Sequence, residues 1–165
     1  ERTLVGDDFV RSGNWHGNRT TWRMCLDLNR CLYYSDAHGL HLDAPGPVRR
    51  VLTVLDGVVG GEGAGPLAPT DVPSGVVMAS LDPLALDLAA VRFMGFDEQK
   101  IPKVREAMHD QGPRISAVKH PDDVRVVALA EGSQDLRELP LDYLPCRRPF
   151  EPHPGWRGHI ERTTP

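Results

Sequence analysis

Asp56 interrupts the apolar run RRVLTVLDGVV, and Glu62 sits inside the glycine cluster GGEGAG that follows it. Asp82 and Asp87 belong to LDPLALDLAAVRF, one at its start and one within an otherwise apolar stretch. A bare carboxylate in apolar surroundings must be hydrogen-bonded, paired, metal-bound or protonated, because burying the free charge is expensive. Taken as one set, these acids could hold a hard divalent cation such as magnesium, with Asp56, Glu62 and Asp82 as oxygen ligands. Asp87 and Glu62 are then the candidates for catalysis, a carboxylate of raised pKa acting as general base. Each acid also has a plainer role. Asp82 is explained by capping a helix, Asp87 by a bond to a backbone donor or a nearby Arg, and Glu62 by a charge facing water.

A substrate in such a site would be met by Arg23 and by Asn29, which lies on the apolar seam of the first helix-like stretch. A buried amide left unpaired costs roughly 1–3 kcal/mol, so Asn29 either ties the protein together or faces a ligand. Gly63 and Gly65 allow backbone to approach a ligand or another segment closely. GGEGAG is not a nucleotide fingerprint: no helix opens after it, since Pro66 and Pro69 follow, and the Lys of a P-loop is missing. The seven histidines show no HExxH spacing and the serines no GxSxG elbow. The tryptophans of GNWHGNRTTWR could line a wall for a planar ligand, or pack.

The elements that must position these residues alternate. After loop-like residues 1–17, Asn18 can cap a helix from Arg19 to Tyr34 with Trp22, Cys25, Leu26, Leu32 and Tyr33 on one face. A strand is expected over 50–59, interrupted near Asp56-Gly57, then a glycine loop and a Pro-rich connection through Pro73. Residues 74–80 form a second strand of the kind covered on both faces. Asp82, Pro83 and Gly95 frame a buried helix as cap, first residue and stop. A helix over 101–111 and a strand over 124–129 follow. From Leu139 the six prolines in 27 residues predict an extended tail over 139–165. The order argues for one α/β domain over 1–165, a small mixed or parallel sheet flanked by helices. About fifteen residues without helical pattern join 50–59 to 74–80, which permits parallel or antiparallel pairing.

With 165 residues, 40% apolar content and a net charge of −4, the chain suits a soluble globule and not a nucleic-acid binder, which would show a concentrated basic face. No apolar run is long enough to span a membrane, and none reads as a signal peptide. Cys25, Cys31 and Cys146 include no CxxC pair, so no iron–sulfur cluster is expected, and the odd count points to a reducing, cytoplasmic setting.

NWHGNRTTWRMCLDLNR, VLDGVVGGEGAGPLAP, VVMASLDPLALDLAAVRFMGFDEQKIP and PGWRGHIE together resemble, in this order, the carboxy-terminal half of a bacterial and archaeal domain-of-unknown-function family, DUF362. The resemblance runs from about Gly13 to Glu161. It implies an α/β fold and that the chain, which starts at Glu1, is the carboxy-terminal part of a longer protein. It implies family-like positions at Asn18, Arg23, Asp27, Asn29, Asp56, Glu62, Gly63, Gly65, Asp82 and Asp87, and so adds Asn18 to the substrate-binding set. Some members carry cysteine-rich ferredoxin-type segments, which this chain lacks.

Two functions fit these residues. One is an enzyme-type small-molecule site built on carboxylates, with or without a divalent cation. The other is a non-catalytic binding or assembly domain that docks on a partner or on a missing amino-terminal half. They part on geometry: parallel strands would bring the glycine stretch and the Ser80–Asp82 turn to one end, antiparallel strands would separate them.

Overall fold

The computed structural model describes residues 3–5, 8–10, 13–109, 112–129, 132, 134–146 and 148–163. Strands β1 (Thr3–Val5) and β2 (Asp8–Val10) pair antiparallel in the stretch read as loop. Turn signals that mark a loop mark a hairpin equally well. Helix α1 (Thr21–Tyr34) follows. Asn18 prepares its start: the side-chain oxygen accepts from the Thr20 and Thr21 N–H groups, each at 3.0 Å. The helix buries Leu26, Tyr33 and Tyr34, whereas Leu32, expected on the same face, is 44% exposed.

Residues 53–80 form one long ribbon. Strand β3 (Thr53–Gly57) pairs antiparallel with β6 (Val76–Ser80), and β4 (Gly60–Ala64) with β5 (Ala68–Val72). Gly57 lies opposite Val76 and Gly60 opposite Val72, so residues 58–59 face 73–75 and one residue is extra. That is a β-bulge. Gly75, at φ 63°, donates its N–H to the Val58 carbonyl at 3.0 Å and closes it.

The α/β class holds, but every pairing among the described residues is antiparallel. A parallel neighbour needs a crossover of a dozen or more residues, usually helical. Here the connection folds back on itself as β4 and β5 instead. The glycine stretch is therefore a strand and not a loop. Glycine and proline are depleted in strands, which is why GGEGA and APTDV escaped the pattern.

Helix α2 (Pro83–Phe93) is built as its sequence predicts. The Asp82 carboxylate accepts from the Leu84 and Ala85 N–H groups, and Gly95 ends the helix at φ 78°. Any side chain on Gly95 would also strike Pro149, whose Cβ lies 3.0 Å from where a Cβ would sit. Leu84, Leu86, Leu88, Ala89 and Val91 are buried, nearly all round the helix. Helix α3 (Pro102–His109) adds Val104 and Met108 to the same core. A smaller cluster holds Leu26, Tyr33, Tyr34 and Ile115 together under α1. Strand β7 (Arg125–Leu129) pairs with β8 (Leu136–Pro140).

After β8 the helical elements among the described residues are short 3-10 turns at Leu141–Tyr143 and Pro154–Trp156. It is held by backbone bonds: Phe150 N–H to the Met94 carbonyl (2.9 Å), Asp97 N–H to Ile160 (2.8 Å) and Arg162 N–H to Gly95 (3.2 Å). Phe150 and Ile160 enter the main core. No helix among the described residues is long and apolar enough to cross a membrane.

Arg92, in the last turn of α2, is only 9% exposed. Its Nε and Nη2 each donate to Glu98 at 2.7 Å, a two-pronged pair, and its Nη1 donates to Asp142. Glu98 is itself 5% exposed. Removing one member of such a pair strands the other charge in a poorly solvated place. Glu98→Ala should therefore lower stability by about 3–5 kcal/mol, read as the shift of a urea unfolding midpoint. The double variant Arg92→Met/Glu98→Leu should be destabilised less than Glu98→Ala alone.

Candidate functional site

Strand β4, helices α2 and α3 and the chain from Phe150 to Ile160 enclose a cavity of about 390 Å3. Its floor is apolar: Val91, Met94, Phe96, Val104, Phe150 and Ile160. The polar groups stand at the edge, with Glu62 from β4, Asp87 from α2, Lys103 from α3, and Glu151 and His153 from the tail. Both candidate catalytic acids, Glu62 and Asp87, thus line one cavity, together with Gly63 and Gly65.

Glu62 is fully engaged. Arg148 donates Nη2 to its Oε1 at 2.8 Å and Nη1 to its Oε2 at 3.0 Å, and the Glu151 N–H donates to Oε2 at 2.8 Å. Its side chain is 9% exposed. The Arg148 hydrogen bonds first, and the Glu151 N–H second, hold its carboxyl below the ordinary glutamate value of 4.5. A general base needs the opposite shift, toward the working pH. The neighbouring Gly63 N–H donates to the Glu151 carbonyl at 2.9 Å, and Gly63 sits at φ 72°. Glycine here lets a backbone lie against the tail, and Glu62 clamps that contact.

Asp87 is not a buried lone acid. Its side chain is 44% exposed and pairs with Lys103 Nζ at 2.7 Å. The partner is a lysine from α3, not a group at the Asp82 turn. Asn29 opens on a smaller hollow of about 170 Å3 that Asp87 and Lys103 also line. It ties down no neighbouring loop: its amide donates to the Cys25 carbonyl of its own helix at 2.8 Å.

The three residues assigned to a metal do not meet. Asp56 is exposed, and its Oδ1 accepts the Val58 N–H at 3.1 Å beside the bulge. It pairs with Val77, three residue pairs in from the Ser80 end at which the helix capped by Asp82 leaves, while Glu62 lies farther along, opposite Thr70 near the tip. The Oδ1 of Asp82 caps α2, and its Oδ2 accepts from the Ser116 hydroxyl at 2.8 Å and the Ala117 N–H at 3.1 Å. Among the described residues no three His, Cys, Asp or Glu side chains gather as a metal ion would require. Antiparallel pairing is the physical reason, since it sends β4 and the Ser80–Asp82 turn to opposite ends of the ribbon. Asp56, Glu62 and Asp82 are thus not gathered into one donor set.

Asn18 and Arg23 lie elsewhere, in a polar cleft of about 510 Å3 between the start of α1 and the start of α3. Sequence reasoning missed Lys103 and Trp156 as lining of the cavity, and Arg148 as the partner of Glu62. Trp156 falls in PGWRGHIE and Lys103 directly follows the stretch ending in KIP, but neither motif carries chemistry of its own, and Arg148 lies outside both. Cys25, Cys31 and Cys146 are free thiols.

A family model described as Domain of unknown function (DUF362) matches residues 9–92, about half of the 165. The match runs from β2 through the ribbon to Arg92, and leaves α3 and the tail outside. No curated protein matches the chain, and neither does any solved structure.

The depressed pKa of Glu62 carries a pH consequence. A group whose folded pKa lies below its unfolded one adds stability that is complete above the unfolded value and is lost as pH falls through the folded value. Glu62→Gln should therefore be less stable than the parent above pH 4.5. The difference should shrink steadily as the pH falls below 4.5, as measured by denaturant midpoints across that range.

Proposed function

The chain belongs to the family described as Domain of unknown function (DUF362), and from that premise we propose that it is a small-molecule-binding domain whose ligand is neutral and mainly apolar. The observation behind this reading is the apolar floor of the 390 Å3 cavity beneath a rim of paired charges. Asp87 pairs with Lys103, Glu62 with Arg148, and Glu151 with Arg157. A charged ligand would have to break one of these pairs. An uncharged body leaves them intact and gains about 25 cal/mol for each Å2 of apolar surface it buries. Glu62 and Asp87 act here as walls that orient and enclose, and a proton-transfer role for either has no support from its partners. In a family without an assigned reaction the chain is read as a binding module first, residing in a reducing compartment, in keeping with its three free cysteines.

Ala90 lines the cavity from α2. A panel of neutral aromatic and aliphatic compounds, each beside its carboxylated and aminated analogue, should raise the melting temperature only in its neutral members. Ala90→Trp fills the space and should abolish those shifts while the empty protein still unfolds cooperatively. Shifts that survive Ala90→Trp, or appear only with charged analogues, would sink the proposal.

A second reading, assembly, is favoured by a different observation. Leu52, Val54, Val77 and Leu81 are 58–73% exposed on and beside the β3–β6 pair, and Val127, Leu129 and Leu136 are 60–68% exposed around β7–β8. Contiguous apolar surface on a sheet marks an interaction face. Under this reading the chain self-associates or precipitates as concentration rises, and Val54→Lys/Val77→Lys restores a monomer in light scattering. A parent that is monomeric at every concentration removes the case for self-association.

A further inference from the structure

The chain carries a net charge of −4, yet Arg19, Arg23, Lys100 and Arg105 line the single cleft of about 510 Å3 that also holds Asn18. Glu106 is the one carboxylate residue lining it. That carboxylate is already engaged, its Oε1 accepting from Arg105 Nε at 3.0 Å and Nη2 at 2.7 Å. Lys100 is held by the Glu161 carbonyl at 2.7 Å and by Asp97 at 3.5 Å. Arg19 and Arg23 have no acidic partner among the described residues. The Arg23 guanidinium instead lies over the Trp22 ring, 5.0 Å from its centre. Like charges gathered in one concavity repel each other and focus a positive potential on whatever enters.

Two more features point the same way. His16 and His159 stack face to face across the cleft wall, 3.9 Å apart and 6° from parallel. Each neutral imidazole has one ring N–H to donate. The cleft also lies at the amino end of α1, a helix of 14 residues, whose dipole favours negative charge there. Asn18 occupies the Thr20 and Thr21 N–H groups, so the recognition falls to the side chains.

We infer that this cleft is a binding site for a phosphate-type oxyanion carrying two or more negative charges, either free or as the head of an organic phosphate. Guanidinium forks recognise carboxylate and phosphate alike, but the placement here discriminates. Arg23 approaches from α1 and Arg19 from the residues just before it, while Lys100 and Arg105 approach from the chain around α3. A tetrahedral oxyanion offers oxygens to both sides at once, whereas a planar carboxylate presents a single edge. The cleft shares none of its lining with the apolar cavity, so its ligand is independent of the neutral compound proposed there.

The test titrates pyrophosphate, inorganic phosphate, a phosphomonoester of a small alcohol and citrate into the full chain by calorimetry, at low and matched ionic strength. Pyrophosphate should bind, and sodium chloride at the same ionic strength should give no heat. Arg19→Ala and Arg23→Ala are exposed substitutions that should leave the melting temperature of the free protein unchanged. Each should weaken pyrophosphate binding by about tenfold or more, the loss of one charge-assisted contact. Ala90→Trp should leave it unaltered. Phosphomonoester bound more tightly than inorganic phosphate assigns the site to an organic phosphate, and the reverse assigns it to the free ion. Citrate binding as well as pyrophosphate would overturn the phosphate assignment. No binding of any anion, or pyrophosphate bound by both arginine variants as tightly as by the parent, would overturn the site.

Discussion

A guanidinium on the last turn of a buried helix constrains much of this molecule. Helix α2 is apolar nearly all round, and Arg92 sits at its end where solvent does not reach. The charge has to be matched from within. Glu98 matches it from the turn that follows Gly95, and Asp142 matches it from the chain after β8. Two segments far apart in sequence are thereby drawn to one point, and the course of the chain on both sides of α2 is set. A buried pair of this kind adds little net stability over an apolar replacement, but it tolerates few alternative arrangements.

The tail completes what that pair begins. Its backbone bonds to Met94, Gly95 and Asp97 lay it along the end of α2. Glu62 and Gly63 then take hold of it from the ribbon, through Arg148 and Glu151. The apolar cavity is the space left between these three partners. Its walls come from segments inside and outside the stretch that defines the family, which ends at Arg92. Trp156 lines the cavity and meets the edge of His16, 6.0 Å between ring centres, while His16 and His159 line the basic cleft. The 3-10 turn at Pro154–Trp156 is thus a thin partition between an apolar hollow and a cationic one.

The acids show how chemistry inferred from residue type is redirected by partners. All four stood out as charges in apolar or glycine-rich surroundings, and all four have partners. Asp82 caps a helix and binds Ser116; Asp56 turns on itself at a bulge; Asp87 pairs with Lys103; Glu62 pairs with Arg148. None is left as a lone buried carboxylate, the state that raises a pKa and makes a general base. The cations make the complementary point. Arg19, Lys100 and Arg105 look like scattered surface charges in sequence, and folding places them together with Arg23.

What the sequence determined alone is what local physics enforces. Asp82, Pro83 and Gly95 bound α2 because a cap, a residue without an N–H and a left-handed stop act within a few residues of themselves. Most of the apolar face of α1 was legible for the same reason, since a helix repeats its contacts every turn, although Leu32 stays exposed. Tertiary structure decided the rest. Whether β3 and β6 run parallel depends on how 58–75 fold back, and glycine and proline carry no strand signal to say so. Whether Asp87 is a lone acid depends on Lys103, and whether Glu62 is free depends on Arg148, 86 residues away. A carboxylate's chemistry is set by the charges beside it, and in this chain those charges arrive only when α3 and the tail close over the ribbon.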